Sequence, residues 1–511
     1  MTITVDSVCD GVRGALEVVR GVRGTTPLER LEGAGGGVLY LKREDVAPIF
    51  AYKWRGATVR MARLSDEEKA RGVVAASAGN HAQGVALAAA RLGVSAKVYM
   101  PLPTPQMKQA AVRRLGGDLV EVVLVGDNFD VAAREAAACM EREGRVLVHP
   151  YDDAYVIAGQ GTIGAEMESE LLEAGEGAPE VALLQVGGGG MAAGVGSWLR
   201  RAYPGIRLIG VEGVDQASMA AAVAGDGPVT LDWVDVFCDG TAVRRAGDLT
   251  SVLCRELLDE MVTVTNAEVC RAISFLWERR RAVTEPAGAM GVAAWLKMSG
   301  ELEGKRCVAV VCGANMDFAQ FSTIARQAEL AGKERRVYRF TIGEKHGALL
   351  ELLGPVRERA NIVDFQYGKT SASVAVPVIG LEADGVTVLA LEAGWREGGI
   401  EFEDVTAQED VEFRMVPYRA GLFQRPYFGR VEFPERAGAL ADFMRRVSGI
   451  AGICYFNYSY TGERVGRALL GFEFDSDVDR ERFVELVVSG ESGLRRLEEI
   501  DAGALGRILE G

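Results

Sequence analysis

The chain lacks any apolar run of the roughly 20 residues that a bilayer-spanning helix needs. Its first residues, Met1-Thr2-Ile3-Thr4-Val5-Asp6, lack the basic-then-apolar order of a secretory leader. Basic residues are the minority. The 57 Lys and Arg stand against 72 Asp and Glu, and the net charge of -15 argues against nucleic acid and anionic membranes as partners. Histidine is scarce: His81, His149 and His346 are too few for a histidine-rich metal centre. The cysteines at 9, 139, 238, 254, 270, 307, 312 and 454 lie far apart with no CxxC, so neither a zinc site nor a disulfide framework is indicated. A reducing cytoplasm is the expected location. A convincing GxGxxG at a first strand–helix turn is also missing, which argues against a dinucleotide fold.

What is present is a long soluble chain. At 511 residues it should hold more than one domain, and 48% apolar with 25% charged residues is ordinary for a globular protein. Val38-Leu39-Tyr40-Leu41 reads as a buried strand. From about residue 70 strands and helices alternate. Strands are expected at 73–76, 96–100, 119–125, 146–148, 181–186, 207–212 and 307–311, and helices at 82–92, 105–115, 129–143, 191–202 and 267–280. Repeated strand–helix units predict a mostly parallel sheet covered on both faces, with ligands at the carboxyl ends of strands.

Near residue 325 the texture changes. A catalytic-type domain is expected over 1–325 and a charged connector over 326–334. Beyond it lies an internal repeat. A shift of 91 residues lays Ile342-Gly343-Glu344-Lys345-His346-Gly347-Ala348-Leu349 on Phe433-Pro434-Glu435-Arg436-Ala437-Gly438-Ala439-Leu440. The same shift lays Phe365-Gln366-Tyr367 on Phe456-Asn457-Tyr458. Each copy reads strand, glycine-started helix, strand, turn, strand, which predicts two ferredoxin-like α+β subdomains over 335–410 and 426–500.

Five stretches carry chemistry. Lys53 stands among Tyr52, Trp54 and Ala57 after a strand end. Alone it would open an ordinary surface helix; desolvated, it would be a depressed-pKa amine able to form a Schiff base. Ser77-Ala78-Gly79-Asn80-His81-Ala82-Gln83-Gly84 joins a strand to a helix, and such a start either is a plain Asn80 N-cap or favours an anion such as a carboxylate. Gly187-Gly188-Gly189-Gly190-Met191 follows an apolar strand and opens a helix. It is a flexible turn or a phosphate cradle, and with no Lys-Ser/Thr pair behind it, it is not a nucleoside triphosphate loop. Glu285-Pro286-Ala287-Gly288-Ala289 reads first as a helix start, and Cys312-Gly313-Ala314-Asn315 as a buried cysteine ending the last strand.

Taken together these stretches resemble fold type II pyridoxal-phosphate enzymes, and within them the biosynthetic threonine deaminases (threonine ammonia-lyases). Tyr151-Asp152-Asp153-Ala154-Tyr155-Val156-Ile157-Ala158-Gly159-Gln160-Gly161-Thr162 and Asp239-Gly240-Thr241-Ala242-Val243 also match that pattern. The resemblance covers nearly the whole length. It implies an α/β, fold type II parallel-sheet catalytic domain carrying pyridoxal 5'-phosphate, then paired ACT-like regulatory subdomains. It implies that Lys53 binds the cofactor covalently and then removes the α-proton. Asn80 would hydrogen-bond the phenolic oxygen, Gly187, Gly188, Gly189, Gly190 and Met191 the phosphate, and Cys312 would face the pyridine nitrogen. A thiol there need not keep that nitrogen protonated, so β-elimination is favoured over transamination. Ser77, Ala78, Gly79, Asn80 and His81 would hold the carboxylate of L-threonine or L-serine, giving 2-oxobutanoate and ammonium from threonine. The resemblance further implies isoleucine as inhibitor and valine as its antagonist near Tyr367 and Tyr458, and a homotetramer. The chain departs from close relatives at Ala51-Tyr52 (usually Ser-Phe), Cys312 (usually serine), Met191 (usually leucine), and Gly368 and Ser459 (usually arginine). A serine dehydratase or racemase, and a non-catalytic amino-acid sensor, are the competing readings.

Overall fold

The computed structural model describes residues 3–331, 335–343, 352–356, 359–366, 374–406, 408, 425–434, 443, 446–447, 449–458 and 465–501. The chain divides into two compact units, Met1–Asp317 and Phe318–Gly511.

The first unit begins with α1 (Val5–Arg20), β1 (Leu28–Glu32), β2 (Val38–Arg43), α2 (Trp54–Ala62) and α3 (Asp66–Arg71). Next come β3 (Val73–Ala76), α4 (Asn80–Leu92), β4 (Ala96–Met100), α5 (Gln106–Gly116), β5 (Val120–Leu124), α6 (Phe129–Glu143) and β6 (Val146–Leu147). After α7 (Ala154–Glu173) follow β7 (Val181–Gln185), α8 (Gly190–Ala202), β8 (Arg207–Gly213), α9 (Ser218–Ala224) and α10 (Asp248–Leu257). The unit closes with β9 (Glu260–Val264), α11 (Asn266–Arg280), α12 (Pro286–Lys297) and β10 (Arg306–Val311).

These strands form two sheets where the local pattern suggested one. The larger runs β1-β2-β10-β7-β8-β9 and the smaller β5-β4-β3-β6. Every pairing is parallel except that of β1 with β2. The division is a matter of long-range pairing: β10 inserts between β2 and β7, while β3 to β6 pair only with each other. Interior strands such as Val181-Ala182-Leu183-Leu184-Gln185 are buried at every position, as parallel strands covered on both faces must be. The edge strand Leu28-Glu29-Arg30-Leu31-Glu32 is charged and mostly part-exposed.

Helix α7 is buried along most of its length despite Gly159, Gly161 and Gly164. Glycine inside a helix costs about 1 kcal/mol each. Close packing explains them. A Cβ on Gly159 would lie 2.6 Å from the Cα of Gly56 in α2, and one on Gly161 would lie 2.9 Å from the carbonyl oxygen of Gly194 in α8. Helix α2 is further tied by a buried ion network. Arg55 donates to both oxygens of Glu44 (2.9 and 2.8 Å) and both of Glu166 (2.6 and 2.8 Å). Lys42 joins at 3.0 Å from Glu166 and also pairs with Glu170. Breaking such a buried pair by removing one partner typically costs about 3–5 kcal/mol, so α2 is held firmly where Lys53 precedes it.

In the second unit the repeat is structural. Strand β11 (Arg335–Gly343) pairs with β13 (Val374–Ala375), β14 (Val378–Glu382) and β15 (Glu401–Asp404), and β12 (Asn361–Gln366) pairs with β14. In the second copy β16 (Tyr427–Pro434), β17 (Gly452–Tyr458), β18 (Val465–Glu473) and β19 (Arg496–Glu499) run in the order β17-β18-β16-β19. The 91-residue shift carries 361–366 onto 452–457 and helix Gly385–Glu397 onto 476–488, where the helix Asp477–Val488 lies. It also carries one bulge onto the other: the register slips between Ile362 and Asp364 in the first copy and between Ile453 and Tyr455 in the second. Each copy has its own aromatic core, Tyr338, Phe340 and Trp395 in one and Tyr427, Phe472 and Phe483 in the other. Residues 326–331, expected in the connector, continue a helix, Gln320–Ala331. The starts of the glycine-started helices expected at Gly347 and Gly438 lie outside the described residues, while Leu352–Leu353 and Phe443, Arg446 and Val447 are helical. Among the described residues, no helix is long and apolar enough to cross a membrane.

Candidate active site

Loops at the carboxyl ends of β2, β3, β7 and β10 carry Lys53, the Ser77 to His81 stretch, the glycine turn and Cys312, and Glu285 comes from the connection between α11 and α12. After β2 the chain runs through Pro48 and Phe50, whose φ of 55 puts it in the left-handed region. That loop is stitched to the segment after β10: Tyr52 N donates to Cys312 O (3.1 Å) and Ala314 N to Phe50 O (2.8 Å). Lys53 caps the amino end of α2, so it does open a helix, but one whose first six residues are buried. Its Nζ donates to the carbonyl of Pro150 at 3.0 Å. Burial lowers the ammonium to about 8, against the pull of the nearby Cys312 and Glu285 side chains.

Asn80 is the first residue of α4, and the cap is Gly79, which has no side chain to bond. The plain N-cap reading of Asn80 is therefore wrong. Its amide instead donates to Glu285 Oε1 (2.7 Å) and accepts from Asn315 Nδ2 (2.8 Å). Ser77 Oγ accepts from Gly79 N at 3.2 Å. The His81 ring turns away to the carbonyl of Val148 (2.7 Å), and burial lowers its pKa to about 3. It is thus neutral, and any anion at this helix start would rest on main-chain N–H groups.

The tetraglycine turn is packed rather than flexible. A Cβ on Gly188 would collide with the ring of Tyr151, one on Gly187 would lie 2.9 Å from the Cα of Thr241, and one on Gly189 2.5 Å from Met219 Cε. Gly189 also has a φ of 93, a conformation left to glycine. Thr250 Oγ1 donates to Gly188 O at 2.5 Å. Asp152 fixes Thr250 by accepting from the N–H groups of Asp248, Leu249 and Thr250 at 2.9, 2.9 and 3.1 Å. The first turn of α8, including Gly190 and Met191, follows a glycine cap with no side-chain bond. Its N–H groups and the helix dipole are set for an anion.

Cys312 is buried, and burial together with Glu285 pushes its thiol up, so it stays protonated. Burial then Asp239 raise Glu285 to about 7, against the opposing pull of Lys108. Lys108 itself pairs with Asp239 at 2.6 Å.

Pyridoxal phosphate requires an amine, a dianion cradle, and partners for its phenolic oxygen and ring nitrogen. The depressed lysine, the glycine turn that no side chain could enter, the Asn80 amide and the neutral thiol meet each requirement, so the residues fit the group. Sequence reading missed Pro150 and Lys108 as parts of this site, gave Asn315 no role of its own, and read Glu285 first as a helix start. Glu285 and Asn315 sat inside motifs already noticed. Nothing in the sequence marks Lys108 or the Pro150 carbonyl. Tyr458 ends β17, its backbone opposite Ala468, and Tyr367 lies outside the described residues.

The family described as pyridoxal-phosphate dependent enzyme matches residues 19–313, the class that fold and site define. The family described as C-terminal regulatory domain of threonine dehydratase matches 419–499. The chain is 38% identical to the biosynthetic L-threonine dehydratase IlvA of Burkholderia multivorans over 85% of this chain and 86% of that one. The processed form of threonine deaminase isoform 2 from Solanum lycopersicum superposes with a TM-score of 0.60 at 39% identity, covering 64% of this chain and 95% of that one. Maize serine racemase superposes with a TM-score of 0.57 at 28% identity, covering 62% and 95%. The chain belongs to the biosynthetic threonine dehydratase family of pyridoxal-phosphate dependent lyases.

Proposed function

We propose that this chain converts L-threonine to 2-oxobutanoate and ammonium, feeding isoleucine synthesis, and takes L-serine less well. The observation that carries the reading is the meeting of a buried, depressed-pKa Lys53 with an uncapped tetraglycine helix start and a protonated Cys312 at one sheet edge. Bound pyridoxal phosphate supplies an electron sink for the pair left on Cα when its proton departs. Lys53 would hold that group, and its Nζ would take the α-proton of the substrate. With a pKa of about 8, about a tenth of the free amine is neutral at pH 7, against well under a thousandth for an unshifted lysine. Asn80 would offer N–H to the phenolic oxygen. The N–H groups of Gly187 to Met191 would hold the phosphate, and those from Ser77 to His81 the substrate carboxylate. Cys312 would share a hydrogen bond with the ring nitrogen without charging it, which would favour loss of the β-hydroxyl.

The paired C-terminal subdomains support regulation by amino acids. We assign isoleucine as inhibitor and valine as its antagonist, at Tyr367 and Tyr458, in a cytoplasmic homotetramer. Keto-acid release from threonine and from serine, with and without isoleucine, tests the reading. Turnover preferring threonine and slowed by isoleucine is expected. Preference for serine with no isoleucine effect would mean a serine dehydratase. Isoleucine binding without cofactor uptake would mean a sensor.

A further inference from the structure

Three residues from distant parts of the chain close a hydrogen-bonded ring. Asn80 Nδ2 donates to Glu285 Oε1 (2.7 Å). The Asn315 main-chain N–H donates to Glu285 Oε2 (3.0 Å), and Asn315 Nδ2 donates to Asn80 Oδ1 (2.8 Å). They stand at the start of α4, just before α12 and just after β10, so the ring links the smaller sheet to the larger. Asn315 is pinned as well, because Nδ2 also donates to the carbonyl of Ile49 at 2.6 Å, in the loop that leads to Lys53.

A primary amide has nearly the same shape after a half-turn, but its donor and acceptor change places. Above pH 7, where Glu285 is ionised, its carboxylate can only accept and the Asn315 Nδ2 can only donate, so both neighbours demand the same orientation of Asn80. Glu285 cannot relax, since both its oxygens are engaged. Its seat is tight too: it is 1% exposed, and a Cβ on Gly313 would strike its carboxylate. A helix-start role does not account for it, because it makes no side-chain cap bond to α12.

We propose that Glu285 is the positioning residue that fixes which way the Asn80 amide faces, so that a phenolic oxygen beside it meets an N–H and not a second lone pair. The proposal rests on the cofactor reading given above. It extends the chemistry to a residue that never touches the cofactor. Turned the other way, Asn80 would set its oxygen against the cofactor's oxygen, and that orientation becomes accessible once position 285 can donate.

Cofactor-free protein is titrated with pyridoxal phosphate, followed by the absorption band, and its melting is recorded separately. In Glu285→Gln the new amide can accept from Asn80 only by setting its own NH2 against the Asn315 N–H. Binding at least tenfold weaker, with a displaced band, is expected. The Asn80→Asp/Glu285→Gln double variant closes the ring with the polarity reversed. The amide at 285 donates to the carboxylate at 80, and both Asn315 bonds survive. Its melting should return toward wild type, while affinity and band stay displaced because position 80 has no N–H to offer. Wild-type band and affinity in Glu285→Gln, or recovery of both in the double variant, would overturn the proposal and leave a structural ring only. Failure of the wild-type protein to take up the cofactor would instead overturn the functional reading itself.

Discussion

Burial, more than any neighbouring charge, sets the chemistry of Lys53. The neutral amine is the nucleophile, and burial favours it, so uptake of pyridoxal phosphate by the cofactor-free protein should quicken as pH rises and level off above about 8. The gain from pH 7 to the plateau should be about tenfold. Stopped-flow absorbance checks this; a rate still climbing tenfold per unit through pH 9 would mean an ordinary, solvated lysine. Cys312 makes the second residue-scale case. If its protonated thiol serves only as a hydrogen-bond partner, Cys312→Ser should keep most of its turnover, while Cys312→Asp should lose elimination or gain transamination. A folded, cofactor-loaded serine variant without activity would contradict that role. Lys53, Asn80 and Cys312 stood out as candidates in the sequence because each sits in a short motif of unusual composition. Glu285 was seen and undervalued, since a glutamate before a proline is more often a helix start. Its partners lie 205 residues away at Asn80 and 30 at Asn315, separations that a local pattern does not convey.

At the scale of elements, the glycine turn before α8 shows why composition alone misleads. Four glycines read as a cradle or, less readily, as a loose loop, and the packing of Tyr151, Thr241, Met219 and Thr250 against them shows that the turn is not loose. Gly189→Ala forces a left-handed backbone on a residue with a side chain and drives its Cβ toward Met219. A loss of about 1–3 kcal/mol in stability is expected, along with at least a tenfold loss in cofactor affinity, read by thermal melting and titration. Lower stability with unchanged affinity would make the turn purely structural. Helix α7 went unnoticed as a helix for a related reason. Gly159, Gly161 and Gly164 lower its propensity, and the close approach of α2 and α8 that they permit is tertiary information. The split into two sheets was hidden likewise, because the pairing of Arg306 with Val38 is a contact between the two ends of the unit.

At the scale of the whole molecule, the repeat was the clearest sequence signal of all, and the matched bulges show that it extends to backbone register. Regulation requires an effector that binds one state better than another. A chain ending at Asp317, where the first unit ends, should therefore keep turnover on threonine and lose its rate response to isoleucine. Persistent inhibition of the shortened chain, or no calorimetric heat from isoleucine or valine with the full-length protein, would contradict amino-acid control by the second unit. The account as a whole turns on one covalent bond. Reducing the cofactor-loaded protein with borohydride and mapping its peptides by mass spectrometry locates that bond. The account predicts a pyridoxyl-phosphate mass on the peptide containing Lys53, absent from Lys53→Ala together with all keto-acid release from threonine. The same mass on a different lysine, or full activity in Lys53→Ala, would contradict it.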